Sequence, residues 1–200
     1  MASQIEIANW ALMLVSEKRI SALSDDNANA EYISAAWDML RDRALRRQAW
    51  HFAIERAELA ADATSPTWGY DYQYSFNSDV VKLIQVGETY PGADRSDLRN
   101  SELAEYRVEG RKILTNYGAP LKVRWVVNST AIGEWDPAFA ALMAADIAEH
   151  IAPRATESDS ISQRIANWRA EAMLEAYATN AIEDPPEHQA DDSWMSAHGA

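Results

Sequence analysis

Apolar residues recur at helical spacing through the first fifty positions. Ile7, Ala8, Ala11, Leu12, Leu14 and Val15 form a stripe within residues 3–16. The polar run SALSDDNANA, residues 21–30, supplies several N-cap candidates for the next helix. From 28 to 49, Ile33, Trp37, Leu40 and Ala44 fall at i, i+4, i+7 and i+11. Neither Gly nor Pro interrupts them, so the spacing predicts one helix roughly 33 Å long.

At RRQAWHFAIERAELA, residues 46–60, the period changes. Arg46 and Arg47 close the helical run, Trp50 and Phe52 follow, and Phe52, Ile54 and Ala57 then stand against Glu55 and Glu58. TSPTWGYDYQYSF, residues 64–76, sets Trp68, Tyr70, Tyr72, Tyr74 and Phe76 two apart, which predicts a strand. VVKLIQVGE (80–88) predicts another, and YPGADRSD (90–97) a turn-rich loop. YRVEGRKILTN (106–116) reads as a hairpin turning near Glu109-Gly110. LKVRWVVNS (121–129) reads as a strand with Leu121, Val123, Trp125 and Val127 on one face. Strands this dense point to a small antiparallel β-sheet or an open barrel.

Helical spacing returns after Asp136-Pro137, a start that suits proline to the first turn. Phe139, Leu142, Met143, Ile147 and Ile151 share one side, and Pro153 is expected to end that helix. Ser160-x-x-Gln163 reads as a capping box. Ile161, Ile165, Trp168 and Ala172 then form the apolar face of a last helix ending near Asn180. The final AIEDPPEHQADDSWMSAHGA is acidic, has no Lys or Arg and contains two adjacent prolines, so it is expected to be an extended tail. The fold class expected is α+β, mainly α. A four-helix bundle (1–50 and 136–180) would carry an inserted small antiparallel β-sheet or open barrel (51–135) and an extended C-terminal tail (181–200).

Composition narrows the chemistry. The chain has no cysteine, which excludes disulfides, thiolate metal sites and a thiol nucleophile. MASQIEIANW has no basic stretch ahead of its apolar residues, so a secretory signal is not expected. No apolar run approaches the roughly 20 residues of a membrane helix. A net charge of -13 argues against a protein that holds nucleic acid by neutralising phosphates. It suits a surface that DNA slides past, although acid that merely keeps a chain soluble gives the same balance.

G-x-S-x-G, P-loop, G-x-G-x-x-G and H-E-x-x-H patterns are all absent. His51, His150, His188 and His198 lack metal-ligand spacing, and Glu149-His150 are adjacent and so do not share a helix face. No catalytic residue, cofactor or metal is expected, and the chain is not expected to be an enzyme. Arg41, Arg43, Arg46 and Arg47 are its densest basic group. They read either as a solvated helix face paired with Asp38 and Asp42, or as a patch for an acidic surface on a neighbouring subunit. The Trp68–Tyr74 ladder could stack bases, but it lacks interleaved Lys or Arg, so packing of a sheet face is the better reading. Trp194, with Met195 and the acids Asp191 and Asp192 beside it, suits an interface anchor, where an ordered tryptophan buries roughly 150–250 Å².

Taken in order, the motifs resemble a known family. They are Arg19-Ile20-Ser21-Ala22-Leu23-Ser24-Asp25, Arg41-Asp42, Leu45-Arg46, Trp50-His51-Phe52-Ala53 and Arg56-Ala57-Glu58-Leu59-Ala60. WGYDYQYSFNSDVVKLIQV, YRVEGRKILTNYGAPLKVRWV, DPAFAALMAADIAEHIA and the terminal DDSW extend the series over nearly the whole chain. This series is similar to that of phage head-to-tail adaptors, the tail tubular protein A and tail accessory factor proteins of short-tailed phages. Two positions depart from the family pattern. Phe76-Asn77 replaces a common Leu-Pro, and Glu17-Lys18 replaces small residues before Arg-Ile, which would lengthen the first helix.

The resemblance implies a structural virion protein, located in the neck and tail and assembled in the host cytoplasm. Its copies would form a ring, typically of twelve, that docks beneath the portal protein and joins it to a tail nozzle or tail tube protein. DNA would pass through the lumen during ejection without sequence-specific binding, and no membrane would be involved. Arg43, Arg46, Arg47, Asp191, Asp192, Trp194 and Met195 would meet the portal or a neighbouring subunit. Trp50 and Phe52 would hold the helix-sheet junction. Two rival functions remain. A tail-associated peptidoglycan hydrolase would need two close carboxylates, one in apolar surroundings. A DNA-end binding module would need a salt-dependent affinity that the charge balance opposes.

Overall fold

The computed structural model describes residues 2–87, 106–155 and 159–183. They fall in two compact units, one of Met1–Ala53 with Val127–Asp184, the other containing Ile54–Val126.

The first unit holds helices α1 (Gln4–Leu14), α2 (Ala28–Arg47), α3 (Pro137–Ala155) and α4 (Asp159–Glu183). Local chemistry sets the ends. Ser3 and Glu6 form a capping box at α1, in which the Ser3 backbone and side chain hold the Glu6 carboxyl below its ordinary value. Asn27 caps α2 by accepting from the Asn29 and Ala30 amides, and the Asp136 carboxylate accepts from Ala138 N at 2.7 Å at the start of α3. The first helix is not lengthened by Glu17-Lys18. It stops at Leu14 because Ser16 turns into the left-handed region (φ 61), and Ser16 N and Glu17 N donate back to Met13 O and Leu12 O. That is a Schellman closure with serine in the place usually held by glycine.

The second unit holds six described strands: β1 (Ile54–Leu59), β2 (Tyr72–Ser75), β3 (Val80–Val86), β4 (Tyr106–Glu109), β5 (Lys112–Thr115) and β6 (Leu121–Val127). They make two three-stranded antiparallel sheets, ordered β1-β6-β3 and β2-β5-β4. In the first, Ile54 lies opposite Val126 and Leu59 opposite Leu121. In the second, Tyr72 and Tyr106 flank Thr115. The β4–β5 hairpin turns through Gly110-Arg111, with Gly110 at φ 60, where the first position of a type II′ turn requires positive φ.

The expected four-helix bundle with one inserted sheet or open barrel is therefore corrected. Among the helices, α3 is the hub: Phe139, Ala140, Leu142, Met143, Ala144, Ala145, Ile147, Ala148, Ile151 and Ala152 are all buried. A helix apolar nearly all round belongs in the middle, and α1, α2 and α4 each lie against it. Among the strands, the two most buried, β5 and β6, each take the centre of a separate sheet. Ile113, Leu114 and Thr115 are buried in one, Leu121, Val123, Trp125 and Val126 in the other.

Smaller expectations also change. The aromatic ladder of 64–76 contributes only Tyr72–Ser75 to a strand, because Gly69 turns at φ 88 and Trp68 stands 83% exposed. Pro153 lies inside α3 rather than ending it, and the helix continues to Ala155. Ser160 lies within α4 as described from Asp159, and the Gln163 side-chain amide donates to Asn167. Ala181, Ile182 and Glu183, read as tail, are the last residues of α4.

Candidate functional site

Two constructions stand out in the helical unit. The first is the handover from α2 into a 3₁₀ turn at His51–Ala53. Trp50 is buried, and its indole N–H donates to Ala44 O at 3.0 Å, which closes the end of α2. Its ring meets Phe139 edge-on with centroids 4.9 Å apart, and Phe52 and Tyr177 lie at 6.3 and 5.8 Å. Phe52 itself packs on Phe139 at 4.9 Å. Trp135 meets Phe139 at 5.1 Å and stacks on Trp37 at 6.3 Å. Residues from α2, α3 and α4 thus converge on one aromatic cluster.

Asn180, nearly at the end of α4, completes this joint. Its side-chain amide donates to Ala49 O at 2.9 Å and accepts from His51 N at 2.9 Å. A buried primary amide so used satisfies two backbone groups between the end of α2 and the start of β1. One turn on, Glu183 Oε2 lies 2.8 Å from His51 Nε2.

The second construction is an ionic cluster around Asp146 of α3, which is fully buried. Arg47 of α2 donates to both its oxygens, at 2.7 and 3.2 Å. Arg169 of α4 donates through Nε to Oδ1 at 2.6 Å and also lies 3.1 Å from Glu149. Arg43, half exposed, stands 3.7 Å away. Three helices are joined through one carboxylate, whose burial is tolerable only because both oxygens are bonded and its charge is matched. Burial works to lower the Arg169 guanidinium, yet the hydrogen bond and charge of Asp146, with Glu149, hold it above its ordinary value.

The residues singled out in the sequence separate accordingly. Trp50 and Phe52 meet in the joint. Arg43 and Arg47 turn inward to Asp146, while Arg46 is exposed. Arg41 pairs with Asp38 at 2.9 Å and Asp42 at 3.1 Å. Glu149 joins Arg169, and His150 packs against Tyr32. Asp191, Asp192, Trp194 and Met195 lie outside the described residues. Asp146, Arg169 and Asn180 were not anticipated. A usable signal existed for Asp146: a single acid amid ALMAAD-IA, on a helix otherwise apolar over two turns.

Asp146 and Glu149 are two close carboxylates, one of them buried, yet they do not form a hydrolytic pair. The Arg169 guanidinium occupies the space between them, where a substrate oxygen or a water would have to sit. Among the described residues, no group of three or more His, Cys, Asp or Glu could hold a metal ion. No helix among them is long and apolar enough to cross a membrane. Compared with models of known protein families and with curated protein sequences, the chain finds no match.

Proposed function

We propose that this chain is a structural head-to-tail adaptor of a short-tailed phage. Copies form a ring that docks on the portal protein, receives a tail nozzle or tail tube protein below, and lets DNA pass through its lumen. The observation that carries the reading is the use made of the residues behind the family resemblance: among the described residues, they build joints within the helical unit. Ile20 is clamped by Asn9, whose amide donates to Ile20 O and accepts from Ile20 N. Asp25 accepts from the Ser21 and Ala22 amides, closing the turn before α2. Trp50 and Phe52 pack on each other, and Phe52 on Phe139, just after α2. Glu183, the last described residue of α4, sits at that same joint. The acidic Trp194 segment, which follows Glu183 in the sequence, is the part assigned to reaching a partner.

On this reading the free subunits stay apart because each lateral contact is weak. The portal acts as a template that raises their effective concentration, so every added copy gains lateral contacts along with its axial one. The acidic balance keeps DNA phosphates from adhering to the lumen. Removing residues 184–200 tests the docking role. The truncated chain should keep the thermal unfolding of the full chain and lose binding to portal particles in co-sedimentation. Trp194→Ala should weaken docking more than Asp191→Ala. Full decoration by the truncated chain would remove the segment from the account, and equal effects of the two substitutions would replace the aromatic anchor with charge.

A further inference from the structure

Helix α4 has two apolar faces, and only one is covered. Ile165, Ala172 and Ala176 are buried on the inner face. On the outer face Leu174 and Ile182 are 66% and 81% exposed, with exposed Ala178 between them at i+4. Single exposed apolar side chains need no explanation, but spacing at i, i+4 and i+8 makes a seam along two turns. Glu171 and Glu175 run beside it, and neither joins an ion pair among the described residues. The seam is therefore apolar with an acidic border.

Its complement lies on the same unit. The outer face of α2 presents Met39, 59% exposed, with Arg43 four residues on and exposed Arg46 seven on. Around Asp146 three guanidiniums meet two carboxylates, so one positive charge is left over, and Arg43, 3.7 Å from Asp146 and half exposed, is the most solvent-accessible of the three. Asp42, three residues on from Met39, and Asp38 are both taken up by Arg41, so the charges beside Met39 that remain to meet the acid-bordered seam of α4 are those of Arg43 and Arg46.

We propose that the outer seam of α4, centred on Leu174 and Ile182, docks on the outer face of α2, centred on Met39 and Arg43, of a second copy of this chain. The two halves differ, so the contact is head-to-tail and repeats around a ring or along a filament. The inference deepens the adaptor reading and rests on it for ring closure; the contact itself belongs to the isolated chain.

The absence of cysteine makes the test clean. Met39→Cys and Leu174→Cys chains, both altered at exposed positions, are mixed at high concentration and oxidised, alongside each variant alone and the doubly substituted chain. Unaltered circular dichroism confirms folding. The mixture should give a disulfide between positions 39 and 174, each single variant should stay largely uncrosslinked, and the double variant should give a ladder of multimers. The yield should fall as salt is added, because part of the attraction is between exposed charges. Dimers of the Leu174→Cys chain with itself would overturn the head-to-tail contact, and a yield that ignores or rises with salt would overturn the charge argument. Unmodified chain that sediments as multimers while the 39–174 disulfide fails to form would sink this interface and leave the ring intact. No disulfide and no multimer at any concentration would sink the interface too, with the ring then judged by portal binding alone.

Discussion

Asp146 has no exposure, and it is held by Arg47, 99 positions earlier, and by Arg169 on another helix. Taking away one member of such a group strands the others. Asp146→Ala should therefore cost about 3–5 kcal/mol, read as a lower midpoint in denaturant unfolding with little change in slope. A loss below about 1 kcal/mol, the scale of an exposed pair, would show that the cluster is solvated and adds little. Position 146 also marks where sequence reading stopped. Arg41 with Asp38 and Asp42 was legible because neighbours on a helix surface follow from spacing alone. The partners of Arg43 and Arg47 were not, because nothing local distinguishes an arginine that turns inward to a distant carboxylate from one that faces solvent.

At the scale of elements, helices were easier to read than strands. Ile33, Trp37, Leu40 and Ala44 are buried on α2, as a 3.6-residue period requires. Aromatic alternation misled at Trp68–Phe76, since side-chain period says nothing about whether Gly69 and Pro66 let the backbone extend. The division into two sheets was illegible for a related reason: strand pairing is non-local, and β6, the last strand, takes the first and the third as its partners. The joint after α2 was half legible. Trp50 and Phe52 announced it, whereas Asn180, contributed from 129 positions away, could be found only in the fold. Asn180→Ala should leave Ala49 O and His51 N without their bonds and cost about 1–3 kcal/mol. Hydrogen exchange at the His51 amide should quicken by more than exchange in the core of α3. Uniform quickening would mean that Asn180 supports the whole unit and has no special part in the joint.

For the whole molecule, the account rests on surfaces that fit other surfaces. Buried chemistry in the helical unit is spent on holding helices together, and among the described residues the outward groups that the account uses are the acid-bordered apolar seam of α4 and Met39 with Arg43 and Arg46 on α2. The most direct measurement is electron microscopy of the purified chain mixed with portal particles from the same genome. The account predicts a closed ring of copies beneath each portal, coaxial with its channel and open along the axis. Portals left bare at saturating concentrations, or carrying single copies at irregular positions, would contradict it.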